Sequence, residues 1–569
     1  MDKKGTITEL WETAGGTRWK VGLLLFMRAA IAFINVAVAL LLRDLINAAV
    51  AQQKELFFSK AVFFIGLICG RVAAGAANRF LQERISAELE NKWKTRLFGT
   101  LLRQDYGYVS AEHSGEWMTR LTNDTVVVAS GMTNLLPDLG GMIVRLVGAA
   151  AAILFMEPRF LYLLVPGTAV LVGLSYLSRK QMKQLHKRVQ EEDGALRTCL
   201  QESFSGMLVV RSYGVEQMAL QQAEKHMERH KAARLRRNWF SNLCNTGFSA
   251  LLNVVYVAGA CYCGYGILTG AISYGTFTAI LQLIGQLQAP LANLSGVLPR
   301  YYAMVSSAER LLEAEAGADP VPQKKTVEEV LAVYENQLEQ IVLEDISFSY
   351  RSPGCGTPGA EAQYNQSKAL SGWNFSIRKG DYVAIVGPSG CGKSTLLKLL
   401  MCLYQPDTGR RYLQLNREQV PLDGTWQRLF AYVPQGNYLM QGTIRDMVAF
   451  ADHNRRQDEP AIWQALSIAC ADDFVRGLDH GLDTELGERG AGLSEGQMQR
   501  LAIARAVFSR SPVLILDECS SALDEPTEAQ LLHNLRAMTE RTVIIITHRP
   551  AALQICDRIW RVDDKLQLT

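Results

Sequence analysis

Gly387-Pro388-Ser389-Gly390-Cys391-Gly392-Lys393-Ser394 is the stretch that decides the fold of the second half of this chain. It follows Tyr382-Val383-Ala384-Ile385-Val386, an apolar run that reads as a buried strand. It precedes Thr395-Leu396-Leu397-Lys398-Leu399-Leu400-Met401, which reads as a helix. Strand, glycine loop and helix in that order are the context of a phosphate-binding loop. Glycines let backbone N–H groups turn inward without a Cβ in the way. Those groups, with the helix N-terminus, bind phosphate oxygens. In such a loop Lys393 reaches the outer phosphates and the Ser394 hydroxyl sits on Mg²⁺.

Other strand and helix ends follow the same logic. Tyr350 ends the run Asp345-Ile346-Ser347-Phe348-Ser349, where an aromatic ring can stack on adenine or simply fill a core. Gln435 ends Ala431-Tyr432-Val433-Pro434, and its amide can join Mg²⁺ or an attacking water. Leu493-Ser494-Glu495-Gly496-Gln497 opens a helix over 498–509, a second helix N-terminus with free N–H groups for phosphate. Val513-Leu514-Ile515-Leu516-Asp517-Glu518 is a buried strand ending in two acids. Asp517 is placed for Mg²⁺ and Glu518 for taking a proton from water. Ser521-Ala522-Leu523-Asp524 follows directly. Val543-Ile544-Ile545-Ile546-Thr547-His548 is another buried strand, ending in a histidine that can hold a γ-phosphate. Each string alone would be an ordinary cap, turn or core strand; the loop at 387–394 favours the site.

The first half is of another kind. Apolar stretches at 19–50, 56–79, 139–156, 160–178, 247–268 and 276–302 read as six spans; a bilayer core requires about 20 helical residues, and the first stretch is longer than that. Tight turns are expected at 157–159 and 269–275, and a short surface helix at 6–16. The charged, amphipathic segments 82–138 and 179–241 separate the spans. In the second of these, Lys and Arg outnumber Asp and Glu. The positive-inside rule makes both segments, and both termini, cytoplasmic. Arg71 and Arg145 fall near mid-membrane with no acid at matching depth. Gln282, Gln286 and Asn293 form one polar stripe on the sixth span. Intramembrane arginine faces a water-filled cavity or a partner, so these residues mark a polar cavity for an anionic or zwitterionic cargo. The alternative is that the arginines snorkel or cap carbonyls.

At 569 residues the chain needs more than one core. The segments expected are an N-terminal cytoplasmic piece (1–18), a membrane domain (19–313), a linker (314–323) and an α/β domain (324–569). The net charge of +3 carries no basic block, so no nucleic-acid partner is indicated. Eleven scattered cysteines lack zinc spacing and read as reduced thiols. No cleavable signal peptide is evident, and no peptidase domain fits ahead of the first span.

This set of motifs, in this order, resembles the nucleotide-binding domain of the ATP-binding cassette (ABC) superfamily. Preceded by six spans, it resembles an exporter-type half-transporter over essentially the whole chain. The resemblance implies a membrane all-α six-helix domain followed by an α/β P-loop domain. It makes Tyr350 the adenine-stacking aromatic and Gly387, Pro388, Ser389, Gly390, Cys391, Gly392, Lys393, Ser394 and Thr395 the Walker A residues that hold ATP. It makes Gln435 the Q-loop residue, and Ser494, Gly496 and Gln497 the signature contacts. Asp517 and Glu518 become the Walker B pair, Asp524 the D-loop acid and His548 the switch histidine. Mg²⁺ would be held by Ser394, Gln435 and Asp517. Residues 484–490 resemble the exporter X-loop, and coupling helices are expected near 105–114 and 212–216. A second half-transporter, identical or different, would complete each ATP site from its signature. The cycle implied is ATP-driven export of a peptide, lipid or amphipathic small molecule. The same scaffold also serves siderophore import and cassette-gated channels. Two departures stand out: Glu495 replaces the usual signature glycine, where function is expected to persist through Ser494, Gly496 and Gln497 although an anion near phosphate can weaken ATP capture, and 351–370 is a long Gly/Pro-rich surface loop.

Overall fold

The computed structural model describes residues 10–13, 15–112, 114–316, 324–351, 366–416, 418–436, 439–487, 492–562 and 566–568. The N-terminal part of the expected surface helix, most of the expected linker, most of the 351–370 loop and the end of the X-loop lie outside these residues. The chain divides into two compact units. One holds the long helices; the other holds the α/β fold together with Gly99–Trp117.

The first unit contains six long helices: Arg18–Val50, Lys54–Leu101, Leu136–Met156, Leu161–Ser205, Glu216–Leu268 and Tyr274–Ala316. They fall on the six apolar stretches. The second, fourth and fifth run far beyond them, because the charged flanks are rich in Leu, Glu, Gln, Lys and Arg, all good helix formers. Among the described residues, four helical segments are long and apolar enough to cross a membrane: Gly15–Val50, Lys54–Leu101, Ser114–Met156 and Glu216–Leu268. Small residues set the close contacts, as in helices packed within lipid. A Cβ at Gly141 would lie 3.3 Å from the Arg28 carbonyl oxygen, so the first and third helices meet there. Val36, Ala149, Ile153, Phe160, Cys263 and Ile280 pack into one core from the first, third, fifth and sixth helices.

The helix leading into the third span carries two π turns, Arg120–Asp124 and Gly131–Leu135. The first brings Asp124, fully buried, against the sixth helix. Its Oδ1 accepts from Ser307 Oγ (2.9 Å) and Arg310 Nη2 (2.5 Å), and its Oδ2 from Arg310 Nε (2.8 Å). A buried carboxylate is tolerated only with such partners.

The second unit has twelve strands among the described residues: β1 (Leu338–Arg351), β2 (Gln366–Arg378), β3 (Tyr382–Val386), β4 (Thr408–Leu415), β5 (Gln419–Pro421), β6 (Phe430–Val433), β7 (Gly442–Thr443), β8 (Glu485–Leu486), β9 (Val513–Asp517), β10 (Thr542–Ile546), β11 (Arg558–Val562) and β12 (Leu566–Leu568). The main sheet has the order β12-β11-β3-β10-β9-β6 and is parallel apart from β12. The sequence reading foresees this parallel sheet. It does not foresee a second, antiparallel sheet, β2-β1-β4-β5. That sheet exists because β1 and β2 alternate, with Ile341, Leu343, Phe375 and Ile377 turned into the shared core. The first residues of β2 lie in what reads as surface loop.

Alternation along the parallel strands sorts the helices onto two faces. Val383, Ile385, Ile515 and Ile544 pack with Leu396, Leu397 and Leu400 of the helix Lys393–Leu400. Tyr382, Leu514, Val543 and Ile545 pack with Leu501, Ala502 and Ile503 of the helix Glu495–Phe508. The phosphate-loop helix and the signature helix therefore cover opposite faces of one sheet.

Arg310→Ala leaves the Asp124 carboxylate buried with one hydroxyl partner. The partly solvated guanidinium puts the expected loss of stability at about 2–3 kcal/mol. Thermal unfolding of the detergent-purified chain measures it, and Asp124→Asn/Arg310→Ala should recover part of the loss.

Candidate functional site

The parallel strands end on one edge, and the edge collects the candidate residues. Loop 387–394 follows β3, Gln435 follows β6, Asp517 ends β9 and His548 follows β10. Carboxyl ends of parallel strands are where open α/β sheets bind ligands.

Gly392 caps the helix Lys393–Leu400 with φ +103°, a conformation side chains resist. Lys393 is the first helical residue, is largely buried, and no acidic residue shares its first turn. A buried ammonium at the positive pole of a helix is electrostatically inverted. Its Nζ donates to the loop's own carbonyls, Gly387 O (2.6 Å) and Pro388 O (2.9 Å). The arrangement is a concentrated positive site that an anion would neutralise.

Beside it, Asp517 Oδ2 accepts from Tyr432 OH (3.1 Å) and Ser394 Oγ (3.3 Å). Burial pushes the Asp517 carboxyl above the usual carboxylate range, and the two hydroxyls pull it back. Glu518 adds to the rise and Lys393 opposes it. Among the described residues no group of three or more His, Cys, Asp and Glu side chains is placed to hold a metal. The protein therefore offers one hydroxyl and one carboxylate. These hard oxygen donors fit Mg²⁺, which takes its remaining ligands from water and phosphate.

Gln435 Nε2 donates to Glu518 Oε2 at 2.7 Å. The sequence reading directs this amide to Mg²⁺ or water; here the carboxylate, the strongest acceptor within reach, takes it. Glu518 has φ +50°, unusual for a residue with a side chain, and its N–H donates to Ile546 O at 3.0 Å. His548 is exposed, one residue beyond buried Thr547.

Tyr350 lies near the end of β1. Its hydroxyl is 2.9 Å from Thr395 Oγ1, and its ring meets Phe348 and Tyr404 edge-on. Tyr404 also touches the expected first coupling helix, which forms at Tyr106–Ala111. Its ring lies 5.8 Å from that of Tyr106 and its hydroxyl 3.1 Å from Ser110 Oγ. In the second expected coupling segment, the short helix Met207–Ser212 turns into Glu216.

Ser494 caps the signature helix in a capping box with Gln497. Ser494 N donates to Gln497 Oε1 (2.9 Å) and Gln497 N to Ser494 Oγ (3.3 Å). Glu495 is exposed in the first turn, where an acid suits the helix dipole. Gly496 lies against the segment after Glu518: a Cβ there would sit 2.9 Å from Ala522 O.

Sequence reasoning misses Tyr432 and Tyr404; their contacts cross the fold, and neither carries a local motif that announces it.

In the membrane unit, Arg71 Nη1 donates to Asn35 Oδ1 (3.1 Å) and Gln286 Nε2 to Asn35 O (2.9 Å). Arg28 pairs with Asp138 at 3.1 Å, and Asp44 with Arg43 and Lys60. Among the described residues neither Arg71 nor Arg145 has a carboxylate partner. Arg145 Nε, Gln282 Oε1 and Gln286 Oε1 are buried without hydrogen bonds. The side chain of Asn293 lies outside the description.

Residues 21–291 match the family model "ABC transporter transmembrane region", and residues 370–521 match "ABC transporter". The chain is 30% identical over 573 aligned positions to the ATP-dependent lipid A-core flippase of Chromobacterium violaceum, covering 95% of this chain and 90% of that protein. It is 29% identical over 516 positions to Antigen peptide transporter 2 of Mus musculus, covering 88% and 69%. In fold it is similar to the solved structure of a bacterial Atm1-family ABC exporter with ATP bound: TM-score 0.78, 21% identity, 97% and 94% covered.

Gly496→Ala forces a Cβ onto a backbone carbonyl. It is expected to lower stability by about 1–3 kcal/mol, read as a fall in the thermal midpoint of the full chain. Glu495→Gly, at an exposed position, is expected to change the midpoint little.

Proposed function

This chain belongs to the exporter-type half-transporters of the ATP-binding cassette superfamily, and from that premise we propose that two such halves export a polar or anionic amphiphile. The chain is a multi-pass membrane protein with an ABC ATPase domain, an ATPase coupled to transport. The observation that carries the nucleotide site is the buried Lys393 ammonium at a helix N-terminus without an acidic partner in that turn.

In this reading the loop N–H groups and Lys393 bind the phosphates of ATP. Tyr350 turns its ring to the adenine, and Thr395 takes a phosphate oxygen in exchange for the Tyr350 hydroxyl. Ser394 and Asp517 hold Mg²⁺, which when bound neutralises developing phosphate charge. Glu518, oriented by Gln435, accepts the proton of the attacking water. His548 holds the γ-phosphate. Ser494, Gly496 and Gln497 serve the nucleotide of the partner half. The placement of signature helix and phosphate-loop helix on opposite sheet faces supports that exchange. ATP favours the closed pair of cassettes, and that difference in affinity shifts the membrane helices outward. The spans lie in a bacterial inner membrane with both termini cytoplasmic, in line with the positive-inside pattern.

The cargo chemistry rests on Arg71 and Arg145, which lack carboxylate partners among the described residues, and on the side-chain amide oxygens of Gln282 and Gln286, buried without hydrogen bonds. The relatives move different cargos by name, a lipid and a peptide, so they do not choose between them.

The deciding experiment is ATPase activity of the chain alone in lipid nanodiscs, beside Lys393→Ala and Glu518→Gln. Turnover that both substitutions remove, by about 100-fold or more, supports a self-assembling pair with working sites. Undiminished turnover in Lys393→Ala refutes the site. A folded but inactive chain points to a different partner subunit or to Glu495, and Glu495→Gly separates these. Arg71→Ala and Arg145→Ala are expected to reduce the stimulation of ATPase by anionic amphiphiles. Equal stimulation across all three proteins would remove these arginines from the cargo path.

A further inference from the structure

The turn after Glu518 is held from two sides by residues to which the reading above gives no role. On one side stands Gln499, almost fully buried in the signature helix. Its Nε2 donates to Ser521 Oγ (3.1 Å) and its Oε1 accepts from Ala522 N (3.2 Å). On the other stands Arg549, next in sequence to His548. Its Nη2 donates to Ser521 O (2.8 Å) and its Nη1 to Leu523 O (3.2 Å). Nη1 also meets Glu528 Oε2 at 2.7 Å, a buried carboxylate that fixes the guanidinium plane. Arg549 N donates to Thr547 Oγ1 at 3.0 Å, tying the arginine to the end of β10.

This matters because Glu518 occupies a left-handed conformation, φ +50°. Such a conformation is strained for a residue with a side chain and persists only where the surroundings over-determine it. Its own N–H is held by Ile546 O, and the turn that follows is held at Ser521, Ala522 and Leu523.

We propose that Gln499 and Arg549 are positioning residues for hydrolysis: together they clamp the 520–524 turn, keep the Glu518 carboxylate in its working conformation, and tie it to the signature helix. The clamp spans both ATP sites of the pair. Glu518 and His548 act on this chain's nucleotide, while Ser494 at the head of the same helix as Gln499 serves the partner's. A shift of the signature helix against the partner's phosphate is thereby a shift of the turn behind Glu518. This rests on the ATPase reading of the site.

The test is steady-state ATPase of the full chain in nanodiscs for Gln499→Ala, Arg549→Lys, their double variant, Glu528→Gln and Glu518→Gln. Lysine keeps the charge beside Glu528 but lacks the planar fork that reaches two carbonyls. Expected is a fall in kcat of about tenfold in each single variant, with KM for ATP within about twofold of wild type. The double variant should lose no more than the worse single one, since both hold one turn. Glu528→Gln should fall between Arg549→Lys and wild type. If Gln499→Ala does not fold, Gln499→Glu keeps the acceptor for Ala522 N and loses the donor to Ser521. Wild-type kcat in the clamp variants with an inactive Glu518→Gln overturns the clamp alone. A rise in KM at unchanged kcat, or losses that multiply in the double variant, also overturns it. An active Glu518→Gln overturns the role of Glu518 and the clamp with it.

Discussion

A buried cation at the positive end of a helix organises the cassette. Lys393 begins a helix whose N-terminus is already positive, and its ammonium donates to two carbonyls of its own loop, with the Cys391 sulfur at 3.9 Å. Hydrophobic burial alone would not keep it there. The strands that end around it bring their acids to the same edge: Asp517 beside Ser394, Glu518 beside Gln435. Asp517 is itself an unfavourable buried acid, raised by desolvation and steadied by two hydroxyls. An excess of positive charge on the loop and a desolvated carboxylate a strand away are each costly alone. A metal–phosphate pair placed between them would compensate both. The fold thus stores its ligand's charge pattern as local electrostatic cost.

What could be read from the sequence follows from which forces act locally. Strand, loop and helix at 382–401 declare themselves because glycine at Gly392 is a backbone requirement and the apolar runs are continuous. The long helices declare themselves because a bilayer imposes a length. Their extension through charged sequence follows from helix propensity, once no breaker intervenes. The antiparallel sheet was less legible. β1 is interrupted by bulges, and its alternation is read correctly only against β2 and β4. The side chains that support the site were not legible at all. Tyr432 reaches Asp517 from the neighbouring strand, Gln499 reaches the turn at Ser521 from a helix, and Asn35 gathers Arg71 and Gln286 from two other helices. Such contacts depend on register and rotamer, which no short string encodes. Gln435 shows the converse. Its place at the site follows from the string, but the group it binds is decided by which acceptor is nearest.

The aromatic cluster around Tyr404 belongs to the same account of linkage. One ring is shared by the short helix Tyr106–Ala111, through Tyr106 and Ser110, and by Tyr350, through an edge-on contact. Tyr350 in turn holds Thr395 in the first turn of the phosphate-loop helix. Close-packed aromatic rings cannot slide past one another by small amounts; they exchange between discrete packings. In the proposed reading, a nucleotide that takes the Tyr350 ring breaks its bond to Thr395 and vacates a contact on Tyr404. The Tyr404 ring that Tyr350 touches is also the one on which Tyr106 packs. The same reasoning holds at the other end of the site, where a strained Glu518 has one conformation that its neighbours permit. A machine that converts a bound phosphate into movement needs contacts of this all-or-none kind. In the proposed reading such contacts lie at both ends of the nucleotide: aromatic at the base, hydrogen-bonded at the phosphate.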